Sequence, residues 1–411
     1  MELLHKDVEP MGQLLHLQDK GKLRRLISLE YVLIFMANGA IFPFFNLYLT
    51  KNLGWSGTRI GWVGALSSVL VMISQPLWGR ISDASDKHKV LALAFAVSAC
   101  LVFLQPLVAG SFLIFLLVRL SHAVFIGSTS SMFDAIALDV LGEDKDTYGK
   151  YRLWGSLGFA VAALFLGKVY GTIGFSSMFL VNAVLVGAAG YVALKLGGAS
   201  AGSGREYGEA SMELRKVLAN PALLILLGGI FLVQTANTAG ENFLGVYLDA
   251  IGGSSGMIGS AFAVMAFVEI PVFLAAPRIV TRFGYKRMLV ASTSLFGLKM
   301  VLNALFPIPW LVLALQPLAG IGFAFFQVSS VLMVDALVPR QFRSTGQAVL
   351  ATTAWSVAGI SGNMLFGMLI DTAGILTAFG IGGCVGLLGT LFIHCFVPGK
   401  TERAPAQDLK A

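Results

Sequence analysis

Gly79-Arg-Ile-Ser-Asp83-Ala-Ser-Asp86-Lys-His-Lys89 and, 198 positions further on, Pro277-Arg-Ile-Val-Thr281-Arg-Phe-Gly284-Tyr-Lys-Arg287 are the two stretches on which the fold turns. Both are basic loops between long apolar runs. Outward from them the likeness continues in the same order. Asn46-Leu-Tyr-Leu49 is matched by Gly245-Val-Tyr-Leu248, and Met132-Phe-Asp134-Ala by Met333-Val-Asp335-Ala, at offsets of 199 and 201. Ordered matches at nearly one offset indicate an internal duplication, and duplicated halves with a site between them are the architecture of many secondary transporters.

Composition identifies the medium around these halves. Of 411 residues, 56% are hydrophobic and only 12% charged, against about 25% charged in a soluble domain. Such a chain cannot cover a water-facing surface, and large soluble domains are excluded. Apolar runs long enough to cross a bilayer fall near 26–50, 57–79, 90–109, 111–138, 151–172 and 175–196, then 221–248, 256–277, 288–306, 309–337, 345–370 and 374–397. The expected fold is therefore all-α and integral to the membrane, with twelve transmembrane helices in two pseudo-symmetric six-helix bundles. The expected division is a terminal segment 1–25, bundles 26–197 and 221–397, a linker 198–220 and a tail 398–411. The first run is too long for a signal-peptide core and has no cleavage site after it, so it is expected to remain.

The formal net charge of +7 does not signal nucleic acid, because of where the cations lie. All but five of the 29 Lys and Arg fall in the termini and the even-numbered hairpins. The other face has only Lys51, Arg59 and Lys168, and Arg119 and Lys299 lie inside spans. Positive charge is retained in the cytoplasm during insertion, so both termini are expected there, in a bacterial-type inner membrane. Cys100, Cys384 and Cys395 lie in apolar runs with no metal-ligand spacing, and read as free thiols in the core or facing lipid.

The loop after the second run, with Gly79, Asp83, Lys87 and Lys89, resembles the Gly-x-x-x-Asp-(Arg/Lys)-x-Gly-(Arg/Lys)-(Arg/Lys) signature of the major facilitator superfamily. Ala84, Asp86 and His88 depart from it, and the second copy supplies Arg282, Gly284 and Lys286 where the first is degenerate. The resemblance covers about 26–397 and implies two bundles around a cavity open alternately to each side. Tyr151-Arg-Leu-Trp-Gly155-Ser-Leu-Gly158 and Val268-Glu269-Ile-Pro271 are similar to the phenylpropionate, lactose and nucleoside proton symporter branch. It also implies a gate in which Asp83 caps a helix end and meets a cation of the other bundle, with Gly79, Lys87, Lys89, Arg282, Gly284 and Arg287 in the same device. Asp134 and Asp335 are expected to join this gate by pairing with Arg152, Arg340 or Arg343.

An ionisable group in a span is costly unless it faces a cavity or a partner, which makes it a functional candidate. Arg119 and His122, three apart, share one helix face. They are expected to anchor an anionic solute or modulate a proton carrier, a permanent ion pair being the bland alternative. Glu269, near mid-span, is the first proton-coupling candidate, because a desolvated carboxylate can hold a proton at neutral pH. Lys299 at similar depth offers the competing reading of a buried Glu269–Lys299 pair. Glu241, in the polar run Gln234-Thr-Ala-Asn237-Thr-Ala-Gly240-Glu241-Asn242, is the second candidate. Glu30 is expected to pair with Arg24 or Arg25. Asn38, Asn46, Trp154, Gln234, Asn237, Gln327 and Asn363 complete the expected solute-binding set.

No phosphate loop, zinc-binding His pair, nucleophile elbow or paired Cys motif occurs at workable spacing, and no nucleotide-binding domain is present. The expectation is a secondary transporter, not an enzyme, without cofactor or metal and functional as a monomer in the bilayer. It would carry a small, anionic organic solute inward with protons. Proton-driven efflux is the runner-up, and a membrane receptor or scaffold is the reading from another class.

Overall fold

A computed structural model describes residues 8–196 and 210–398. Residues 198–209 of the expected linker and 399–411 of the expected tail lie outside the described residues. Those described are helices and short connections without a strand. Among the described residues, twelve spans are long and apolar enough to cross a bilayer: Gly21–Lys51, Gly57–Ala84, Lys87–Val108, Phe112–Lys145, Tyr148–Ile173 and Ser177–Lys195, then Pro221–Asn242, Ser255–Phe283, Tyr285–Leu305, Pro309–Leu337, Arg340–Ala373 and Ile375–Phe396. They are called spans 1 to 12 below. With an even number of crossings, residues 8 and 398 lie at one face, the terminus-bearing face. The other is the far face.

The ends of these spans follow local chemistry. Ser56, Asp86, Asn220 and Ser254 accept bonds from the first free amides of spans 2, 3, 7 and 8. Gly174, Gly284 and Gly374, with φ of +92°, +78° and +84°, end spans 5, 8 and 11 in a conformation that other residues resist.

Two breaks repeat across the duplication. Span 1 is interrupted between Ile41 and Phe45, where Pro43 removes an amide donor, and resumes as Phe45–Lys51. The run that continues span 7 breaks at Phe243 and resumes as Leu244–Ala250. The matched motifs at Asn46 and Gly245 occupy these two short helices. They meet across the molecule: a Cβ on Gly245 would fall 2.5 Å from the Pro43 carbonyl oxygen.

Small residues let the bundles touch. A Cβ on Gly61 would lie 2.3 Å from the Asn363 carbonyl oxygen, and one on Gly259 would lie 2.0 Å from that of Ala163. Spans 2 and 11, and 5 and 8, therefore approach backbone to backbone. The three cysteines are exposed on span surfaces, so they are not core thiols.

Candidate functional site: a one-sided cavity between the bundles

At the far face the bundles are tied by polar bonds as well as glycine packing. Asp371 of span 11 accepts from the amides of Gly57 at 2.7 Å and Thr58 at 2.8 Å, the free N-terminus of span 2. Lys51 pairs with Asp249 at 2.7 Å. Asn46 donates to the Asn242 carbonyl at 3.0 Å, and within the second bundle Asn242 donates to the Asn363 side chain at 2.8 Å. These groups seal one face.

Beneath the seal is a cavity of about 1120 Å³, running from Phe45 and Asn46 to Gly79 and Ala348 toward the terminus-bearing face. That is at or above the upper end of small-molecule sites. Arg119, His122, Asn38, Asn46 and Asn363, all expected from the sequence, line it. Asn242, Asn182, Gln75, Ser67 and Ser68 add neutral polar groups.

The charges are one-sided. Among the described residues, Arg119 and His122 are the only ionisable ones in the lining, both cationic or neutral, and no carboxylate joins them. The guanidinium lies over the Phe45 ring, 4.4 Å from its centroid, and reaches His122 Nδ1 at 3.3 Å. Arg119 Nε and His122 Nε2 are buried with no protein partner. A buried cation without an anion is costly, because desolvation is not repaid. Such an arrangement suits an anionic or oxygen-rich visitor, which a planar guanidinium grips with two donors.

Four expected solute contacts do not line this cavity. Trp154 is exposed away from it. Gln234 and Asn237 are buried and bond to each other at 3.3 Å inside the second bundle. Gln327 is also absent from the wall. Span rotation put these side chains elsewhere.

The acidic groups are partnered differently from the sequence expectation. Lys299 pairs with Glu241 of span 7, the side chains being 3% and 14% exposed, so the Glu269–Lys299 alternative is not formed. Glu269 instead accepts from Ser156 at 3.0 Å, with Arg152 close enough to interact electrostatically. This joins span 8 to span 5, and so the two halves. Glu30 is 0% exposed with both carboxylate oxygens unpartnered. The expected pair with Arg24 or Arg25 is absent, and Arg24 pairs with Asp144 instead.

At the terminus-bearing face, Asp83 makes no hydrogen bond or ion pair among the described residues, and Asp86 caps span 3. Lys87 pairs with Asp139 of the same bundle at 2.9 Å, and Lys89 with Asp86 at 3.4 Å. The cross-bundle contact expected of Asp83 is thus not made in this conformer. Arg282 lies over Phe283, Gly284 forms the turn, and Arg287 is engaged in an interaction of its own. Asp134 accepts from the Tyr31 hydroxyl at 2.7 Å rather than pairing with Arg152, which stacks on Phe35. Asp335 accepts from Gln347 at 2.7 Å and has Arg343, one of the three arginines offered, at 4.0 Å.

Sequence reasoning missed Asp371 and Trp355. The available signals were an acid just before the Gly374 turn and a tryptophan among small hydroxyl residues.

The comparisons agree on the kind of protein. The model of the MFS_1-like family matches residues 25–381. The maltose permease of Geobacillus stearothermophilus is 28% identical over 390 residues, covering 94% of this chain and 97% of that one. The crystal structure of the nucleoside transporter NupG superposes with a TM-score of 0.80 at 18% identity, over 91% of this chain and 98% of that one. That of a D-xylose-proton symporter gives a TM-score of 0.69 at 16% identity, over 93% and 99%.

Proposed function

Given that this chain belongs to the MFS_1-like family of membrane transporters, we propose that it imports a small organic anion together with protons, by alternating access of the central cavity. The carrying observation is the Arg119–His122 pair, buried on the cavity wall with no protein carboxylate to neutralise it. A solute carboxylate would complete that site. With the cationic terminus-bearing face in the cytoplasm, as the positive-inside rule requires, the conformer described is inward-facing, and the far-face seal is the closed outer gate. Asp83, Lys87, Lys89, Arg282 and Arg287 would then act in the opposite state, when the inner ends close.

Proton coupling is assigned to Glu269. Its bond from Ser156 crosses the bundle interface, so gain or loss of a proton there changes an interaction between the moving parts, which is what coupling requires. Glu241, held by Lys299 within one bundle, has the secondary role of keeping the second bundle rigid.

A neutral glycoside is the second reading. The asparagine- and serine-rich lining and the maltose permease relative favour it, with Arg119 donating to hydroxyls instead of a carboxylate.

The test is Glu269→Gln in proteoliposomes. Gradient-driven accumulation is expected to disappear, while solute exchange without a gradient persists. Accumulation that survives in the variant would remove the coupling assignment.

A further inference from the structure

Span 11 contains a π-helical turn, Thr352–Val357, closed by a bond from the Ala358 amide to the Thr353 carbonyl five residues back. A π turn holds an extra residue, redirects side chains, and is frequent at functional sites. Trp355 sits in this turn. It lines the cavity together with Thr352 and Ser356, and the residue as a whole is 40% exposed.

The indole is braced from behind. Phe323 and Phe326 of span 10 hold it at centroid separations of 6.1 Å each, Phe326 nearly edge-on. A large aromatic held on one side by two rings and bare on the other presents a fixed apolar surface to whatever enters.

Its height in the cavity follows from the packing register. Gly64 faces Asn363 and Gly359 faces Ser68, so spans 2 and 11 run antiparallel and Trp355 comes level with Met72. Gly127 of span 4 packs on Val71, at nearly the same level. Arg119 is eight residues before Gly127 on that helix, or about 12 Å higher at 1.5 Å per residue. The cavity therefore has a cationic end near the seal and an aromatic shelf about 12 Å below it, a gap that the arginine side chain partly spans.

We infer that Trp355, aimed by the π turn, is the ring platform of this transporter: the solute stacks a flat ring face on the indole while its charged or hydroxyl end reaches Arg119. The inference rests on the cavity reading above. It narrows the substrate to ring-bearing solutes and makes Trp355 the residue that selects them over open-chain solutes of similar size.

Initial uptake rates in proteoliposomes, corrected for protein-free vesicles, test it with two pairs of probes. These are glucose against sorbitol and 3-phenylpropionate against heptanoate, each with wild type, Trp355→Phe, Trp355→Ala and Arg119→Gln. The wild type is expected to favour a ring-bearing member. Trp355→Ala should raise its KM about tenfold, as loss of a well-placed aromatic contact does, without moving the KM of any open-chain probe carried. Trp355→Phe should stay within about threefold of wild type, keeping a ring surface in a folded protein. An unchanged ring-solute KM in Trp355→Ala, equal damage in Phe and Ala, or a wild type that moves no ring-bearing probe overturns the inference. Arg119→Gln reports separately: unaltered uptake there removes the anion anchor whatever the Trp355 variants do.

Discussion

The far-face seal makes a quantitative prediction through Asp371. Its carboxylate takes two bonds from the free end of span 2, Gly57 N–H at 2.7 Å and Thr58 N–H at 2.8 Å, and in the proposed cycle these break when that face opens. Hydrogen bonds to a charged group contribute about 1.5–3 kcal/mol each. Asp371 is exposed, so solvent competes, and about 2 kcal/mol for the pair is a fitting figure. Asp371→Ala should then raise the ratio of far-face-open to far-face-closed molecules about 30-fold, since 1.4 kcal/mol is a factor of ten. Asp371→Asn keeps one acceptor without the charge and should move it about fivefold. The assay is a spin-label distance distribution between Leu107→Cys and Leu305→Cys. These exposed positions end spans 3 and 9 at this face, and the background would have the native cysteines replaced by Ser. A second, longer distance should grow in the order wild type, Asn, Ala. Equal distributions in all three proteins would refute the latch and leave the Lys51–Asp249 pair, the Asn46–Asn242 bond and the glycine contacts to hold the seal.

Two further perturbations test the buried charges. Lys299→Ala leaves Glu241 buried without a cation and should destabilise the detergent-solubilised protein by about 3–5 kcal/mol, with much of the loss recovered in Lys299→Ala/Glu241→Ala; thermal unfolding showing equal loss in single and double variants would contradict the pairing. Glu30 has no partner for either oxygen inside the first bundle, so Glu30→Met should leave the melting temperature unchanged or raise it, and a large drop would mean that its carboxylate is bonded after all.

Much of this was legible in the sequence, and what was legible depended on where residues stand along the chain. Twelve spans, their order and the duplication follow from length, apolarity and offset. The paired motifs at Asn46 and Gly245 proved to be the two short helices that meet at the seal. The Trp154-containing and Glu269-containing motifs proved to face each other through Ser156. What failed depended on rotation about a helix axis. A span apolar on nearly all sides gives no stripe to say which face turns inward, so the sequence points Trp154 and Gln327 at a wall that they do not reach. Depth along the spans matches Lys299 with Glu269, but its partner is Glu241 on another helix. Glu30 was placed by its distance along the chain from Arg24, while its face points into the bundle core. The π turn has no sequence signal of its own, and without it Trp355 cannot be aimed.

The central claim, import of an anion with protons through the Arg119 cavity, is tested most directly by solute-driven proton flux. Proteoliposomes loaded with a pH-sensitive dye would be offered aromatic acids, sugars and nucleosides from outside. The account predicts lumenal acidification on addition of a carboxylate-bearing solute, absent in Arg119→Gln and in Glu269→Gln. Acidification unchanged in Arg119→Gln, or transport of the acid with no proton movement in the wild type, would contradict it.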